Sequence, residues 1–302
     1  MLPIDVLGLG AVAVDDLLYV EAYPPPDAKA RVLRRERHGG GLTATALVAA
    51  ARLGARCAYA GVLGPDELSA FAARTLEAEH IDLAHLKRDP GARPVYSTIV
   101  IDTARHSRNI FFDLNGVVGA APDWPPAEVI QASRVLFVDY LGLPGMLRAA
   151  QIARAAGRPI VADLEADAAP LLELVDHLIL SWEYAHTLTG ADTPAQAALA
   201  LWTDQRQVVA ITHGDQGCWH VSADASSQPQ HQPAFRVAVV DTTGCGDVFH
   251  GAYAAALARG LPVAERFRWA AAAAALKATR PGGQAGAPTL AELTRFLEET
   301  HP

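Results

Sequence analysis

Residues 241–247, DTTGCGD, have the residue types needed to bind and transfer a phosphoryl group. They follow the apolar run 235–240, which predicts a strand, and they lead into residues 247–260, whose apolar side chains recur at helical spacing. Gly244 and Gly246 allow a tight turn and a close approach of a ligand to the backbone. The free N–H groups of residues 244–247 would then point out of a helix N-terminus and bind an anion.

Asp247 stands at the edge of that predicted anion hole. A carboxylate in this place can accept a proton from an attacking hydroxyl group, while backbone amides stabilise the charge on the transferred group. The alternative is an aspartate that only complements the dipole at the start of a helix. An isolated Gly-x-Gly-Asp string favours this structural interpretation, so the rest of the chain has to decide between the two.

Composition narrows the classes of protein. The chain has 302 residues, 51% of them hydrophobic and 19% charged, which is typical of one large α/β domain with a smaller insertion. A net charge of −8 without a Lys/Arg stripe argues against nucleic-acid binding. Three cysteines without CxxC spacing argue against a disulfide framework or a zinc site. Because no apolar run reaches membrane-spanning length and the N-terminus is not signal-like, we expect a cytoplasmic protein with no membrane contact.

Apolar strands alternate with amphipathic helices along most of the chain, which predicts a mainly parallel sheet with helices on both faces. Strands are predicted at 4–10, 57–63, 134–140, 159–163, 177–181 and 208–212. Helices are predicted at 43–53, 67–79, 145–157, 194–204, 246–259, 263–278 and 289–299. Residues of about 12–38 and 93–114 break this alternation with extended patterns. They predict a small sheet inserted in two pieces, either a lid over the site or a surface ornament.

Residues 241–253, DTTGCGDVFHGAY, resemble the signature of the ribokinase-like (PfkB) carbohydrate kinases, in which the position of Cys245 is usually alanine. Residues 38–69 are similar to the family's N-terminal glycine motif, 210–219 to its Thr-x-Gly-x-x-Gly segment, and 278–288 to its loop near adenine. The four segments occur in family order over nearly the whole chain. The resemblance implies a three-layer α/β/α sandwich, a single domain over 1–302 with the lid inserted as about 12–38 and 93–114.

The resemblance also implies roles for the residues that match the family's motifs. Asp247 would be the catalytic base, and the anion hole would consist of the amides of Gly244, Cys245 and Gly246. Sugar contacts are expected from Asp15, Gly40, Gly41 and Thr45. Asp16 competes with Asp15 for its role, and Thr45 stands where the family often has asparagine.

ATP and Mg²⁺ are the cofactors that the resemblance implies. Nucleotide contacts are expected from Thr212, Gly214, Gly217 and Gly283. Asp241 and Thr243, with carbonyl groups of the 280–286 loop, resemble a monovalent-cation site, so K⁺ is a candidate third cofactor. The family's Asn-x-x-Glu is replaced by Ser181 and Tyr184, and the neighbouring Glu183 is the candidate to organise magnesium-bound water. Mg²⁺ itself would be held largely by phosphates and water.

The expected substrate is a small sugar, phosphorylated at a primary hydroxyl group. Within the family the chain is most similar to bacterial sulfofructose kinases, and Lys29 matches their sulfonate-binding lysine. Their lid asparagine, however, falls at Asp113, and their sulfonate-binding arginine falls at Leu141. A carboxylate repels a sulfonate and leucine cannot pair with it, so we expect a neutral sugar such as a ketohexose or related furanose. The family's lid often pairs between subunits, which implies a homodimer.

Four other functions compete with this one. A sulfofructose kinase, a nucleoside kinase and a non-catalytic sugar or nucleotide sensor on the same fold stay open, although a sensor has no need of Asp247. Residues 8–13, GLGAVA, fit the start of a dinucleotide-binding fingerprint. An extended segment and three prolines follow where that fingerprint requires a helix, so an oxidoreductase is disfavoured.

Overall fold

The computed structural model describes residues 3–105, 107–165 and 168–300. Its strands are β1 (Val6–Leu9), β2 (Ala13–Val20), β3 (Val32–Gly40), β4 (Cys57–Tyr59), β5 (Val62–Leu63), β6 (Lys87–Arg88), β7 (Val95–Asp102), β8 (Ser107–Asp113), β9 (Val135–Val138), β10 (Ile160–Asp163), β11 (His177–Ser181), β12 (Val208–Thr212), β13 (Cys218–Ser222) and β14 (Ala225–Gln232). Its helices are α1 (Leu42–Arg52), α2 (Glu67–Ala78), α3 (Ala127–Ala132), α4 (Leu143–Ala155), α5 (Ala169–Leu172), α6 (Trp182–Thr189), α7 (Pro194–Leu201), α8 (Cys245–Ala258), α9 (Val263–Ala278) and α10 (Leu290–Glu299).

The central sheet has the strand order β14-β13-β12-β11-β10-β9-β1-β4. The strands from β12 to β4 in this order are parallel, and β13 and β14 are antiparallel to their neighbours. Strands β1, β9 and β10 are buried at every position, because a parallel sheet carries helices on both faces. This confirms the predicted mainly parallel sheet and three-layer α/β/α architecture.

The pleat of the strands divides the core between the two helix layers. Val6 belongs to the core beneath α1, α8 and α9, whereas the next residue, Leu7, belongs to the core beneath α4 and α7. Helices α1 and α8 pack closely together, since a Cβ atom added at Gly251 would lie 2.1 Å from the backbone oxygen of Ala46. The N-termini of these two helices therefore lie side by side.

The two segments that break the alternation form one four-stranded sheet, in the order β3-β2-β7-β8. Strands β2 and β7 are parallel from Ala13↔Val95 to Val20↔Asp102, while β3 and β8 are antiparallel to them on the two edges. Strand β8 is exposed at every position, including Ile110, Phe111 and Phe112. We call this the small sheet.

The predicted strand at 235–240 is wrong. This segment forms no strand, and Val239 and Val240 are exposed. The amides of Val240 and Asp241 donate instead to the backbone oxygen of Ala278, at 2.8 and 3.1 Å, at the C-terminus of α9. The predicted strand at 57–63 is divided into β4 and β5, and the β13–β14 hairpin and helices α3, α5 and α6 were not predicted.

Two further features concern the cysteines and the helices. Cys57, Cys218 and Cys245 are all free thiols. Within the described ranges, no helix combines the length and the apolar character that crossing a bilayer requires.

Candidate active site

The N-terminus of α8 is the point at which three predicted motifs meet. Gly244 precedes the helix in a left-handed conformation, with φ of 75°. A Cβ atom added to Gly244 would lie 2.9 Å from the Cα of Gly283 and 3.5 Å from the Cγ2 of Thr45. Only glycine fits here. These distances also show that the turn after residue 240, helix α1 and the 280–286 loop converge on Gly244.

The backbone amides at this terminus form a candidate phosphate site. The N–H groups of Gly244, Gly246 and Asp247 have no acceptor among the described residues. The predicted contribution of Cys245 differs, because its amide already donates to the backbone oxygen of Thr242 at 3.2 Å. Nothing lies within 4 Å of a Cβ atom added at Gly246, so the space in front of these amides is open to a ligand.

Asp247 lies in the first turn of α8 and is surrounded by other carboxylates. Burial raises its pKa well above the ordinary aspartate value, and the negative charges of Asp163, Glu165, Asp139 and Asp15 raise it further. A carboxylate with a raised pKa is a stronger base once it is ionised. The predicted base therefore stands beside open amide groups in an environment suited to accepting a proton.

His250, one turn further along α8, was not predicted to take part in the site. Its side chain is buried, and its Nδ1 atom is 2.8 Å from the backbone oxygen of Gly246. The Nε2 atom is 3.0 Å from the backbone oxygen of Ile179. The histidine thus ties the first turn of α8 to strand β11, and the only signal in the sequence was its helical spacing from Asp247.

Asp15 and the glycines of the N-terminal motif lie together at the end of the small sheet. A Cβ atom on Gly40 would come within 2.3 Å of the Oδ2 of Asp15, so glycine at position 40 makes room for this carboxylate. Burial raises the pKa of Asp15, and a hydrogen bond from Ser97 opposes the rise. The competing Asp16 is already engaged, with Arg37 at 2.6 Å and the Tyr96 hydroxyl at 2.8 Å. The geometry therefore favours Asp15 over Asp16.

A buried carboxylate that sequence reasoning missed holds the start of α1 in place. Asp139 accepts hydrogen bonds from the Ala11 amide at 2.6 Å, the Thr43 hydroxyl at 2.9 Å and the Leu141 amide at 2.8 Å. Burial raises the pKa of Asp139 to about 7. Gly41 immediately precedes α1 and has a φ of 97°. A Cβ atom added to Gly41 would lie 2.6 Å from the backbone oxygen of Ala11, so this residue packs against the same turn.

Three of the four predicted nucleotide residues form one turn after β12, and the fourth, Gly283, lies against Gly244. Thr212 ends the strand and donates from its hydroxyl to the Leu180 oxygen at 3.3 Å. Gly214 and Gly217 both have positive φ, and a Cβ on Gly217 would lie 2.2 Å from the Gln232 oxygen. Glu183 is exposed in the first turn of α6, which begins after the neighbouring strand β11.

Asp241 and Thr243 do come together as predicted, but positively charged side chains of the chain itself accompany them. The Asp241 carboxylate accepts from the amides of Thr243, at 2.9 Å, and Gly282, at 2.8 Å. The ammonium group of Lys277 lies 2.7 Å from the backbone oxygen of Asp241. From the small sheet, Arg108 contacts the Thr243 hydroxyl and lies 3.5 Å from Asp241 Oδ1. The K⁺ ion suggested by the sequence would share this space with two fixed cations.

Two predicted sugar residues lie on exposed segments. Lys29 is in the irregular stretch between β2 and β3 and forms no ion pair within the described residues. Asp113 is exposed at the end of β8, and its Oδ1 accepts from the Asn115 amide at 2.8 Å. No three His, Cys, Asp or Glu side chains within the described ranges are arranged to hold a metal ion.

Comparison with known proteins places these features in a family. The profile of the pfkB family carbohydrate kinases matches residues 5–290. The chain is 28% identical to the ribokinase of Haemophilus influenzae over 304 residues, which cover 96% of this chain and 97% of that protein. It is also 28% identical to fructokinase-1 of Zea mays, over 86% of this chain and 88% of that protein.

Solved structures agree with this assignment. A candidate ribokinase from Agrobacterium tumefaciens is 31% identical, with a TM-score of 0.90 over 98% of each chain. The ribokinase of Arabidopsis thaliana, solved with ribose and ATP, has the same fold at 22% identity, with a TM-score of 0.86 over 99% of each chain. The chain belongs to the pfkB family of carbohydrate kinases and is an ATP-dependent carbohydrate kinase.

Proposed function

We propose that this protein transfers the γ-phosphoryl group of ATP to a primary hydroxyl group of a neutral sugar, a ketohexose or a related furanose. The observation that carries the proposal is the juxtaposition of Asp247 with the free amides of Gly244 and Gly246. The base and the phosphate site lie on the same helical turn, which places a proton acceptor beside the phosphoryl group to be transferred.

In this mechanism Asp15 orients the sugar and Asp247 takes the proton of the attacking hydroxyl group. The open amides at the start of α8 bind the oxygens of the transferred phosphoryl, with the helix dipole adding to the attraction. Bound Mg²⁺ would neutralise charge on the phosphates of ATP. Thr212, Gly214, Gly217 and Gly283 are the proposed nucleotide contacts, and Glu183 is the proposed partner of magnesium-bound water.

The preference for a neutral sugar is supported by the charges around the proposed sugar site. Asp15 and Asp247 are both acidic, and Asp139 and Asp163 are further carboxylates close to Asp247. Lys29 is exposed and forms no ion pair within the described residues, and Leu141 has no charge to offer an anion. A sulfonated or carboxylated sugar would meet repulsion from these carboxylates.

The test is ADP release from Mg-ATP over a panel of fructose, other ketohexoses, ribose, 2-keto-3-deoxygluconate, sulfofructose and nucleosides. Strong turnover on a neutral ketose or furanose supports the proposal. Strong turnover on sulfofructose alone would overturn the argument from charge, and turnover on nucleosides alone would replace the sugar by a nucleoside. ATP binding without turnover on any acceptor would favour a sensor.

We also infer that the protein is a homodimer joined through the small sheet. The inference is supported by strand β8, an edge strand on which Ile110, Phe111 and Phe112 are 49%, 53% and 66% exposed. An exposed edge strand with large apolar side chains is prone to pair with another chain. Light scattering should give twice the chain mass, and Phe112→Ser should shift the mass towards the monomer.

A further inference from the structure

We propose that Lys277 supplies from within the chain the positive charge that a monovalent cation would bring to the turn before α8, so that the kinase does not require K⁺. The inference deepens the proposed function and rests on it, because it concerns the same phosphate site. The residues involved are those at which the sequence suggested a K⁺ site, namely Asp241, Thr243 and the 280–286 loop.

The ammonium group of Lys277 occupies the space between the turn at residue 241 and the 280–286 loop. The side chain is fully buried, with no exposed surface. Its Nζ atom lies 2.7 Å from the backbone oxygen of Asp241, 3.4 Å from the backbone oxygen of Arg280 and 3.6 Å from the Oδ2 of Asp241. These are oxygens from both segments that were predicted to bind the cation.

The loop is folded tightly around the lysine side chain. A Cβ atom added at Gly286 would lie 3.2 Å from the Cε of Lys277 and 2.8 Å from the backbone oxygen of Gly282. Both oxygens of the Asp241 carboxylate already accept from backbone amides. The site therefore lacks the free oxygens and the space that an added ion would need.

The charges around Lys277 also argue against a bound K⁺ ion. Arg108, Asp241 and the Cys245 thiol are the charged or titratable side chains that act on the Lys277 ammonium. Burial lowers the pKa of Lys277, and the negative charge of Asp241 opposes this. A K⁺ ion among the same oxygens would be repelled by the ammonium group and by Arg108, which lies 3.5 Å from Asp241. A K⁺ ion therefore does not fit beside Lys277.

A lysine in the last turn of a helix can have a purely structural role, because it complements the helix dipole. An exposed lysine would serve that purpose at no cost of desolvation. Full burial of an ammonium group is costly unless oxygens compensate it. Two of the oxygens that compensate Lys277 belong to Asp241, in the turn that leads into Gly244 and the open amides, which links its charge to the phosphate site.

The first experiment compares the unmodified enzyme in choline, sodium and potassium chloride at equal ionic strength. Turnover with Mg-ATP and the sugar found in the panel should agree within about twofold among the salts. The melting temperature without substrate should also be the same in all three. Saturable activation by K⁺ of about tenfold or more over choline would overturn the proposal.

The second experiment removes the ammonium group. Lys277→Met keeps the length of the side chain and should lower turnover by about tenfold or more, since it leaves Asp241 without its buried cation. Lys277→Ala opens space, and K⁺ should then raise both its turnover and its melting temperature more than choline does. Wild-type turnover of Lys277→Ala in choline chloride would contradict the proposal.

Lys87→Ala is the matched control, because Lys87 pairs with the exposed Asp123 away from the site. It should respond to the three salts as the unmodified enzyme does. The melting temperatures need no sugar, so they test the role of Lys277 even if the proposed substrate is wrong. If a Lys277 variant does not fold, the salt comparison on the unmodified enzyme still decides.

Discussion

The Nδ1 atom of His250 lies 3.3 Å from the Oδ2 of Asp163, inside the core beneath the first turn of α8. The same nitrogen is 2.8 Å from the backbone oxygen of Gly246, and the opposite nitrogen faces the oxygen of Ile179. The contact places a hydrogen-bond donor between Asp163 and the helical turn that carries Asp247.

His250 is therefore expected to be a positioning residue. His250→Ala should lower kcat by about tenfold or more while the KM for ATP changes little, because the turn that carries the base loses its anchor. Steady-state kinetics measure both parameters. His186→Ala, on the exposed face of α6, is the control and should change neither.

Asp247→Ala should lower turnover by about 10²–10⁴-fold, because the attacking hydroxyl group loses its proton acceptor. ATP binding should be largely retained, since the amides of Gly244 and Gly246 belong to the backbone. Turnover assays and calorimetric titration with ATP separate the two effects. Near-wild-type turnover in this variant would exclude Asp247 as the base.

The raised pKa of Asp247 predicts that the ionised carboxylate, which activity requires, lowers the stability of the folded protein. In the folded state the carboxyl group holds its proton to higher pH than in the unfolded state, so its stabilising contribution is present at low pH and is lost as pH rises through the folded pKa. Asp247→Asn keeps the size and removes the charge. It should raise the melting temperature at neutral pH by about 2–4 °C per kcal/mol gained.

The gain from Asp247→Asn should disappear as the pH falls towards the ordinary aspartate range, where both proteins are neutral at this position. Thermal unfolding followed by circular dichroism from acid to neutral pH provides the comparison. A melting temperature that is lower than wild type at neutral pH would show that the ionised carboxylate stabilises the fold instead.

Gly244→Ala tests whether the turn before α8 needs glycine for space as well as for its backbone angle. The added methyl group would lie 2.9 Å from the Cα of Gly283, so the variant should lose turnover and stability together. Gly260→Ala is the matched control, with φ of 74° and nothing within 4 Å of the new atom. It should cost about 1–2 kcal/mol from the left-handed conformation alone and keep its turnover.

Denaturant unfolding and turnover assays on the two glycine variants give the comparison. Equal losses of stability with intact turnover in both would show that Gly283 yields to the methyl group and that the close contact has no functional weight.

The parallel core and the phosphate turn could be predicted from the sequence because each depends on local pattern. Strands such as His177–Ser181 and Val208–Thr212 are short apolar runs between turns, and their predicted bounds match the structure. Gly244 and Gly246 indicate a tight turn, because glycine adopts backbone angles that other residues avoid. The run 235–240 has the same local pattern as a strand, but its end is bound to the C-terminus of α9, where the amides of Val240 and Asp241 donate to the Ala278 oxygen.

The residues that sequence reasoning missed act over long separations. Asp139 reaches Thr43, His250 reaches Ile179, and Lys277 reaches Asp241 only after the chain has folded. Nothing in the neighbourhood of Lys277 in the sequence distinguishes it from a lysine at the solvent-exposed end of a helix. Its burial is decided by the tertiary packing of the 280–286 loop, which no periodicity encodes.

The contact between Gly251 and Ala46 limits how the two substrates can approach each other. Helix α1 starts beside the proposed sugar site, and α8 starts at the proposed phosphate site. The two helices are in close contact at Gly251, which has a hydrogen atom in place of a side chain. The gap that the phosphoryl group has to cross is therefore a fixed length built into the core. We therefore expect any motion that admits the sugar to come from the small sheet and to leave this distance unchanged.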